Sequence, residues 1–240
     1  MGAAVDAVTF GTSAGSPTVA HTCTGTDLAL YVLIAERYDT AITGVTYNGV
    51  ALTQIHQDNH GNIETTNVFR LLNPPTGAHD VVITQTASHD LAYTIISLTG
   101  VHQTTPEGTI VGGTGTSGTP THDITLETDD LGLDLVAWYK PGSESMTVGA
   151  NQTQQSNQTI GTLGGAVSTE TGNGTVTMSW TPSGSNWWNH VAIPVKAAAS
   201  VTLDECLPDA DVTTTGWTST PLYSKINDGS DGTVIQATAS

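Results

Sequence analysis

Leu28-Ala29-Leu30-Tyr31-Val32-Leu33-Ile34 is the stretch that decides the fold. It is an unbroken apolar run of strand length, as expected of a strand buried on both faces. Runs of the same kind follow along the chain. Val81-Val82-Ile83-Thr84-Gln85-Thr86 and Ala92-Tyr93-Thr94-Ile95-Ile96-Ser97-Leu98 are enriched in β-branched residues. Ile124-Thr125-Leu126, Leu133 to Trp138, Thr175 to Trp180 and His190 to Val195 come later. Turn signals separate them: Tyr47-Asn48-Gly49, Asn73-Pro74-Pro75-Thr76-Gly77, Pro141-Gly142, Asn173-Gly174 and Pro182-Ser183-Gly184. Asn-Gly favours the positive φ values of a tight hairpin. No window of helical length keeps an i, i+3, i+4 stripe, and the many Gly and Thr weaken any helix. The expectation is an all-β chain, an antiparallel β-sandwich of jelly-roll-like type. Gly112 to Pro120 (GGTGTSGTP) reads as a flexible loop, and no internal repeat of fixed period is evident.

The small-residue break Ala197-Ala198-Ala199-Ser200 sets the expected boundary, with a β-sandwich domain over 1–198 and a strand-rich C-terminal extension or truncated second domain over 199–240. Leu207 to Ser240 offers a turn at Pro208-Asp209, a Thr-rich strand ending in Gly216-Trp217, an apolar Leu222-Tyr223, a turn at Asn227-Asp228-Gly229 and a strand over 233–236. Two or three strands alone are marginal in water. This piece is therefore expected to be completed by other protein: the body of the chain, a neighbouring copy, or further sequence. Trp217, Leu222 and Tyr223 are its candidate assembly residues.

Charge narrows the function. The chain has 22 Asp and Glu against five Lys and Arg, giving a net charge of −17. Only 11% of residues are charged, so the imbalance comes from missing cations. Nucleic-acid binding needs clustered Lys and Arg to displace counterions, and scattered Arg37, Arg70, Lys140, Lys196 and Lys225 do not supply that. Anionic lipid is disfavoured for the same reason. No apolar run reaches the length of a membrane span, and MGAAVDAVTF lacks the basic and apolar regions of a secretory signal. Cys23 and Cys206 read as buried thiols in preference to a bridge.

Several motifs invite chemistry. Gly11-Thr12-Ser13-Ala14-Gly15 matches a nucleophile elbow, but the elbow needs a helix after the serine, and Ser16 to His21 reads as a strand. His56-Gln57-Asp58-Asn59-His60 would place imidazole and carboxylate on one strand face, yet it reads as a solvated loop tip with no fourth ligand. Asn227 to Gly232 lacks the closing Glu of a calcium loop, Gly112 to Gly115 lacks the Lys of a phosphate cradle, and Asp129-Asp130 suits an exposed loop. No catalytic residue, metal ligand or cofactor is assigned. Asn186-Trp187-Trp188 is the most informative patch, because exposed aromatics beside amides suit stacking on sugar rings. Adjacent strand residues face opposite ways, so at most one tryptophan is a platform, and the other packs in the core or meets a neighbouring subunit.

The C-terminal run carries a resemblance. Pro208-Asp209-Ala210-Asp211 … Gly216-Trp217-Thr218, Leu222-Tyr223-Ser224-Lys225-Ile226-Asn227-Asp228 and Val234-Ile235-Gln236 resemble a segment that opens β-sandwich modules in tailed-bacteriophage structural proteins. Asn227-Asp228 stands where those proteins more often carry Asp-Glu. In the body, Gly44 to Leu52, Leu72 to Gly77 and Leu98 to Val101 are similar to β-rich domains of phage and bacterial surface proteins. The resemblance implies a non-enzymatic virion protein, a capsid decoration or a virion-proximal fibre or spike component. It would be made in the host cytoplasm and partnered by other virion proteins, with a homotrimer the favoured oligomer. The alternative is a carbohydrate-binding or adhesive module that meets a host surface glycan through Asn186, Trp187 or Trp188.

Overall fold

The computed structural model describes residues 2–38, 42–61 and 63–199, and the backbone of 203–204 and 225–226. The chain forms two compact units, Met1–Ala198 and Ala199–Ser240. In the second, β18 (Leu203–Asp204) pairs antiparallel with β19 (Lys225–Ile226). Trp217, Leu222, Tyr223, Cys206 and the Asn227 to Gly232 turn lie outside the described residues.

The first unit is all-β, with no helix among the described residues. It opens with β1 (Ala4–Ser13), β2 (Thr18–Cys23), β3 (Ala29–Arg37), β4 (Ile42–Tyr47), β5 (Val50–Ala51), β6 (Thr53–His60), β7 (Glu64–Leu72), β8 (Gly77–Gln85) and β9 (Leu91–Thr99). These make a five-stranded sheet, β1-β9-β3-β7-β6, and a four-stranded sheet, β2-β8-β4-β5. It continues with β10 (Val111–Gly115), β11 (Thr121–Leu126), β12 (Leu131–Tyr139), β13 (Met146–Val148), β14 (Thr153–Ile160), β15 (Leu163–Thr171), β16 (Gly174–Pro182) and β17 (Trp188–Val195). These give β10-β17-β12-β15-β14 and β11-β16-β13. Every pairing is antiparallel.

Apart from β5, each strand of the first set has a counterpart in the second, so the expectation of no internal repeat is corrected. The correspondence extends to register. Ala29 sits opposite Leu72 and Leu98, and Leu131 sits opposite Thr171 and Val195. The ladder between β6 and β7 shifts between Gln54 and His56, and that between β14 and β15 shifts between Gln154 and Ser156. Even the left-handed turns recur, at Asp27 and Asp129 and at Gly77 and Gly174. Few residues recur with them. THDITL in β11 replaces TVAHTC in β2, with the same pattern of exposure.

Two further expectations are corrected. Val111–Gly115 is a strand paired with β17, although Gly112 to Pro120 read as a loop. Its glycines leave room for neighbours: a Cβ on Gly112 would lie 2.3 Å from Asp58 Oδ2, and one on Gly115 2.4 Å from the Trp188 ring. His56 to His60 likewise belongs to strand β6, although its polarity read as a loop tip.

Alternation along β3 explains the layering. Ala29, Tyr31, Leu33 and Ala35 share one core with Leu131, Leu133, Leu135 and Ala137 of β12, and with Ile96, Leu98, Val167, Val191 and Ile193. The two five-stranded sheets thus bury their facing sides against each other. The opposite side of β3 (Leu30, Val32, Ile34) joins Val45, Tyr47, Val81 and Ile83 of the four-stranded sheet. The sheets come closest where β15 passes β3 and β9. There a Cβ on Gly165 would lie 2.8 Å from Ala92 Cβ and 2.9 Å from Ala35 Cβ. Glu107, between the halves, ties them further: its backbone bridges Val195 of the second, and its carboxylate accepts from Tyr31 Oη at 2.8 Å and Arg70 at 2.5 Å in the first.

Leu33 and Leu135 occupy equivalent places on the two sides of this core. Leu33→Ala and Leu135→Ala are each expected to cost about 2–5 kcal/mol. Both should displace a single urea transition that carries the two repeats together. Two separable transitions for the repeats would refute the shared core.

Candidate functional site

The common direction of β3 and β12 brings their C-terminal ends together. Arg37 N donates to Asp90 O (2.9 Å), Tyr38 N to Ile63 O (3.0 Å), Tyr139 N to Trp187 O (3.0 Å) and Lys140 N to Thr162 O (2.7 Å). These bonds fix a row of side chains at one end of the paired sheets. The Arg37 guanidinium lies between two rings, 4.3 Å from the Tyr38 centroid and 4.6 Å from that of Tyr139. Its Nε donates to Thr162 Oγ1 at 3.1 Å and its Nη1 to Ile63 O. Beyond Tyr139, Trp187 sits 5.9 Å away at 31°, and beyond Trp187 stands His60 at 6.0 Å. At the other end His89 meets Tyr38 edge-on at 5.1 Å. Trp187 and Tyr38 are 39% and 42% exposed, two of the exposed large apolar side chains of the molecule. Tyr38 holds φ = 70°, in the left-handed region that a bulky residue seldom adopts.

Beneath the row lies Glu64, fully buried, with Oε1 3.1 Å from His60 Nδ1 and Oε2 without a hydrogen-bond partner. Burial pushes its carboxyl up to about 8, and the nearby Arg37 charge only partly offsets that. Asn189 secures the backbone here, donating to Glu64 O at 2.7 Å.

The candidates from the sequence separate in space. Trp187 is presented. Trp188 is half-buried over Gly115, with Nε1 donating to Ser117 O at 3.2 Å. Asn186 is buried, and neither of its amide atoms has a partner. His60 joins the row, whereas His56 pairs with Asp58 at 3.0 Å. No cluster of three or more His, Cys, Asp or Glu side chains suited to a metal occurs among the described residues. Ser13 ends β1, a bend leads into β2, and a Cβ on Gly11 would strike the Tyr93 hydroxyl. Asp129 is exposed, but Asp130 is buried, accepting from Glu127 N and Ala197 N. Cys23 is a buried free thiol.

Two polar networks were not anticipated. In the first repeat, His21 lies between Thr9 Oγ1 (2.9 Å) and Ser97 Oγ (3.2 Å), and Ser97 donates to Asp6 at 2.7 Å. Serine, imidazole and carboxylate meet, but Ser97 is fully buried and bonded directly to the carboxylate. In the second repeat, Asp134 takes the place held by Val32 in the first. It accepts from Ser168 N (2.8 Å), Ser168 Oγ (2.7 Å), Trp180 Nε1 (2.8 Å) and Gln152 Nε2 (3.3 Å), and His190 Nε2 lies 3.0 Å away. His122 stacks on His190 at 4.9 Å, and its imidazole is held below the usual range by burial and by His190. An aspartate inside Leu133-Asp134-Leu135 was the available signal.

Searches against protein-family models, curated proteins and solved structures find no match to this chain. No helix among the described residues is long and apolar enough to cross a membrane.

Asp134→Ala strands Trp180 Nε1 and Ser168 in the core and is expected to destabilise by about 3–5 kcal/mol, the range for removing one partner of a buried charged network. A loss below about 1 kcal/mol by urea melts would show that water or rearrangement replaces the carboxylate.

Glu64 gives a pH dependence of known sign. Its pKa rises on folding, so the folded chain keeps a proton that the unfolded chain releases above its ordinary value near 4.5. The stability from that proton is full below about 4.5, declines as pH rises and is lost by about 8. Glu64→Gln should flatten the fall in thermal midpoint between pH 5 and 8 and stabilise the chain at pH 8.5, by about 1–3 kcal/mol. An unchanged slope in this variant would assign it to other groups.

Proposed function

We propose that this chain is a non-enzymatic structural protein of a tailed phage or phage-like particle, a capsid decoration or virion-proximal fibre or spike component. It works by packing against other virion proteins and presenting a surface. Topology supports this reading. The orders β1-β9-β3-β7 and β2-β8-β4-β5 follow the two-Greek-key pattern of an eight-stranded jelly roll, and the second repeat follows it without a counterpart of β5. The finer fold proposed is therefore two jelly-roll β-sandwiches in tandem, an architecture used by capsid and lectin domains. The link from that architecture to a virion role is analogy of fold, joined to the resemblance of the C-terminal run. A net charge of −17 also favours mutual repulsion between crowded particles.

The repeats bury their facing sheets on each other. Assembly then falls to outer strands and to the segment after Ala198, where Trp217, Leu222 and Tyr223 are the candidate contacts. Light scattering of the purified chain over a range of concentrations tests this. A closed oligomer is expected, with a trimer favoured. A monomer at every concentration, unaltered by Trp217→Ala, would overturn self-assembly through that segment.

A further inference from the structure

We infer that the row formed by Tyr38, Arg37, Tyr139 and Trp187 is a binding site for a neutral pyranose oligosaccharide. The site is distributed over both repeats, since Arg37 ends β3 with Tyr38 just after it, Tyr139 ends β12 and Trp187 precedes β17. Neither repeat holds it alone.

The chemistry of the row selects the ligand. Trp187 and Tyr38, both partly exposed, stand at the two ends, and a pyranose has a flat C–H face that packs on an aromatic ring. Aromatic rings supply contact area with little side-chain entropy to lose. Arg37, clasped between Tyr38 and Tyr139, stiffens the row by cation–π contact. Lys140 Nζ reaches Gly142 O, the Glu144 carboxylate accepts from Gly142 N at 2.7 Å, and the Asp90 carboxylate lies beside Gly161. Lys140, next to Tyr139, and Asp90, whose carbonyl accepts from Arg37 N, thus adjoin the row with opposite charges, and burial holds the Glu64 carboxyl beneath up at about 8. That balance suits hydroxyls, which both donate and accept. An acidic sugar would gain nothing from the balanced rim and would meet a chain of net charge −17. One backbone feature marks the place as functional. Tyr38 is held at φ = 70°, the kind of strain that gathers at functional sites.

The inference stands apart from a virion role, because it concerns one chain and needs no neighbour. A glycan array carrying neutral hexose and N-acetylhexosamine oligosaccharides, with sialylated counterparts, tests it on the full chain. Cellohexaose and chitohexaose serve as soluble probes by tryptophan fluorescence. At least one neutral glycan is expected to bind with a dissociation constant at or below about 1 mM. Trp187→Ala should weaken that binding at least about tenfold, equivalent to about 1.4 kcal/mol. Tyr38→Ala should weaken it as well. Trp187 is partly exposed, so its removal should leave the thermal midpoint nearly intact, and a melt of each variant separates loss of binding from loss of fold. Binding of sialylated glycans alone, no glycan binding, or binding indifferent to Trp187→Ala would each overturn the assignment. A protein partner captured through Trp187 without any glycan binding would do so too.

Discussion

Everything at the aromatic end depends on one contact: the facing sides of the two five-stranded sheets. Leu33 and Leu135, Tyr31 and Leu133, and Ala35 and Ala137 pack from the two repeats into a single core. Each of those strands is buried on both faces, and in water neither sheet would leave that side uncovered. Small residues set the spacing where Gly165 meets Ala35 and Ala92. Larger side chains there would lever the ends of β3 and β12 apart, and Arg37 would lose Tyr139. The position of the surface row is thus decided in the interior.

Duplication frees one copy to diverge. In the first repeat, Val32, Phe69, Ile83 and Tyr93 meet as an apolar group in the space between the larger and smaller sheets. In the second, the equivalent positions are Asp134, Ser168, Trp180 and His190, and they are hydrogen-bonded to one another. An apolar core tolerates alternative packings more readily than a carboxylate that needs its donors in place. The second repeat has the smaller outer sheet, three strands against four. Partners on β15, β16 and β17 converge there on Asp134 of β12, where the equivalent positions of the first repeat rely on apolar contact.

The strands that could be read from sequence are those with apolar side chains on at least one face. Leu28 to Ile34 and Leu133 to Trp138 lie at the centres of their sheets, so both faces carry the signal. The strands that could not be read lie at edges. β14 (TQQSNQTI) and β6 (TQIHQDNH) pair on one side only and contain a register shift, so their residues are polar and out of step with strict alternation. β10 was hidden by its glycines, which are there for the Asp58 and Trp188 side chains above and below. The repeat escaped notice because the two copies share register and exposure far more than residues. Val32 and Asp134, or Tyr93 and His190, hold the same places with opposite chemistry.

The row itself was only half legible, for a related reason. Trp187 stood out as one of two adjacent tryptophans, and only Trp188 lies in β17. Its partners Tyr139, Arg37 and Tyr38 lie far away in sequence, and no spacing rule connects them. They meet because two β-strands of different repeats end side by side, and that follows from the shared core alone. Trp188, the neighbour of Trp187, packs over Gly115 and has its indole N–H committed to Ser117. That commitment fixes the start of β17 and so aims Trp187 outward. A platform made this way is rigid before any ligand arrives, and rigidity lowers the entropic cost of holding a flexible saccharide. Position, orientation and stiffness of the exposed ring are all set by buried contacts, so the site and the core form one structure.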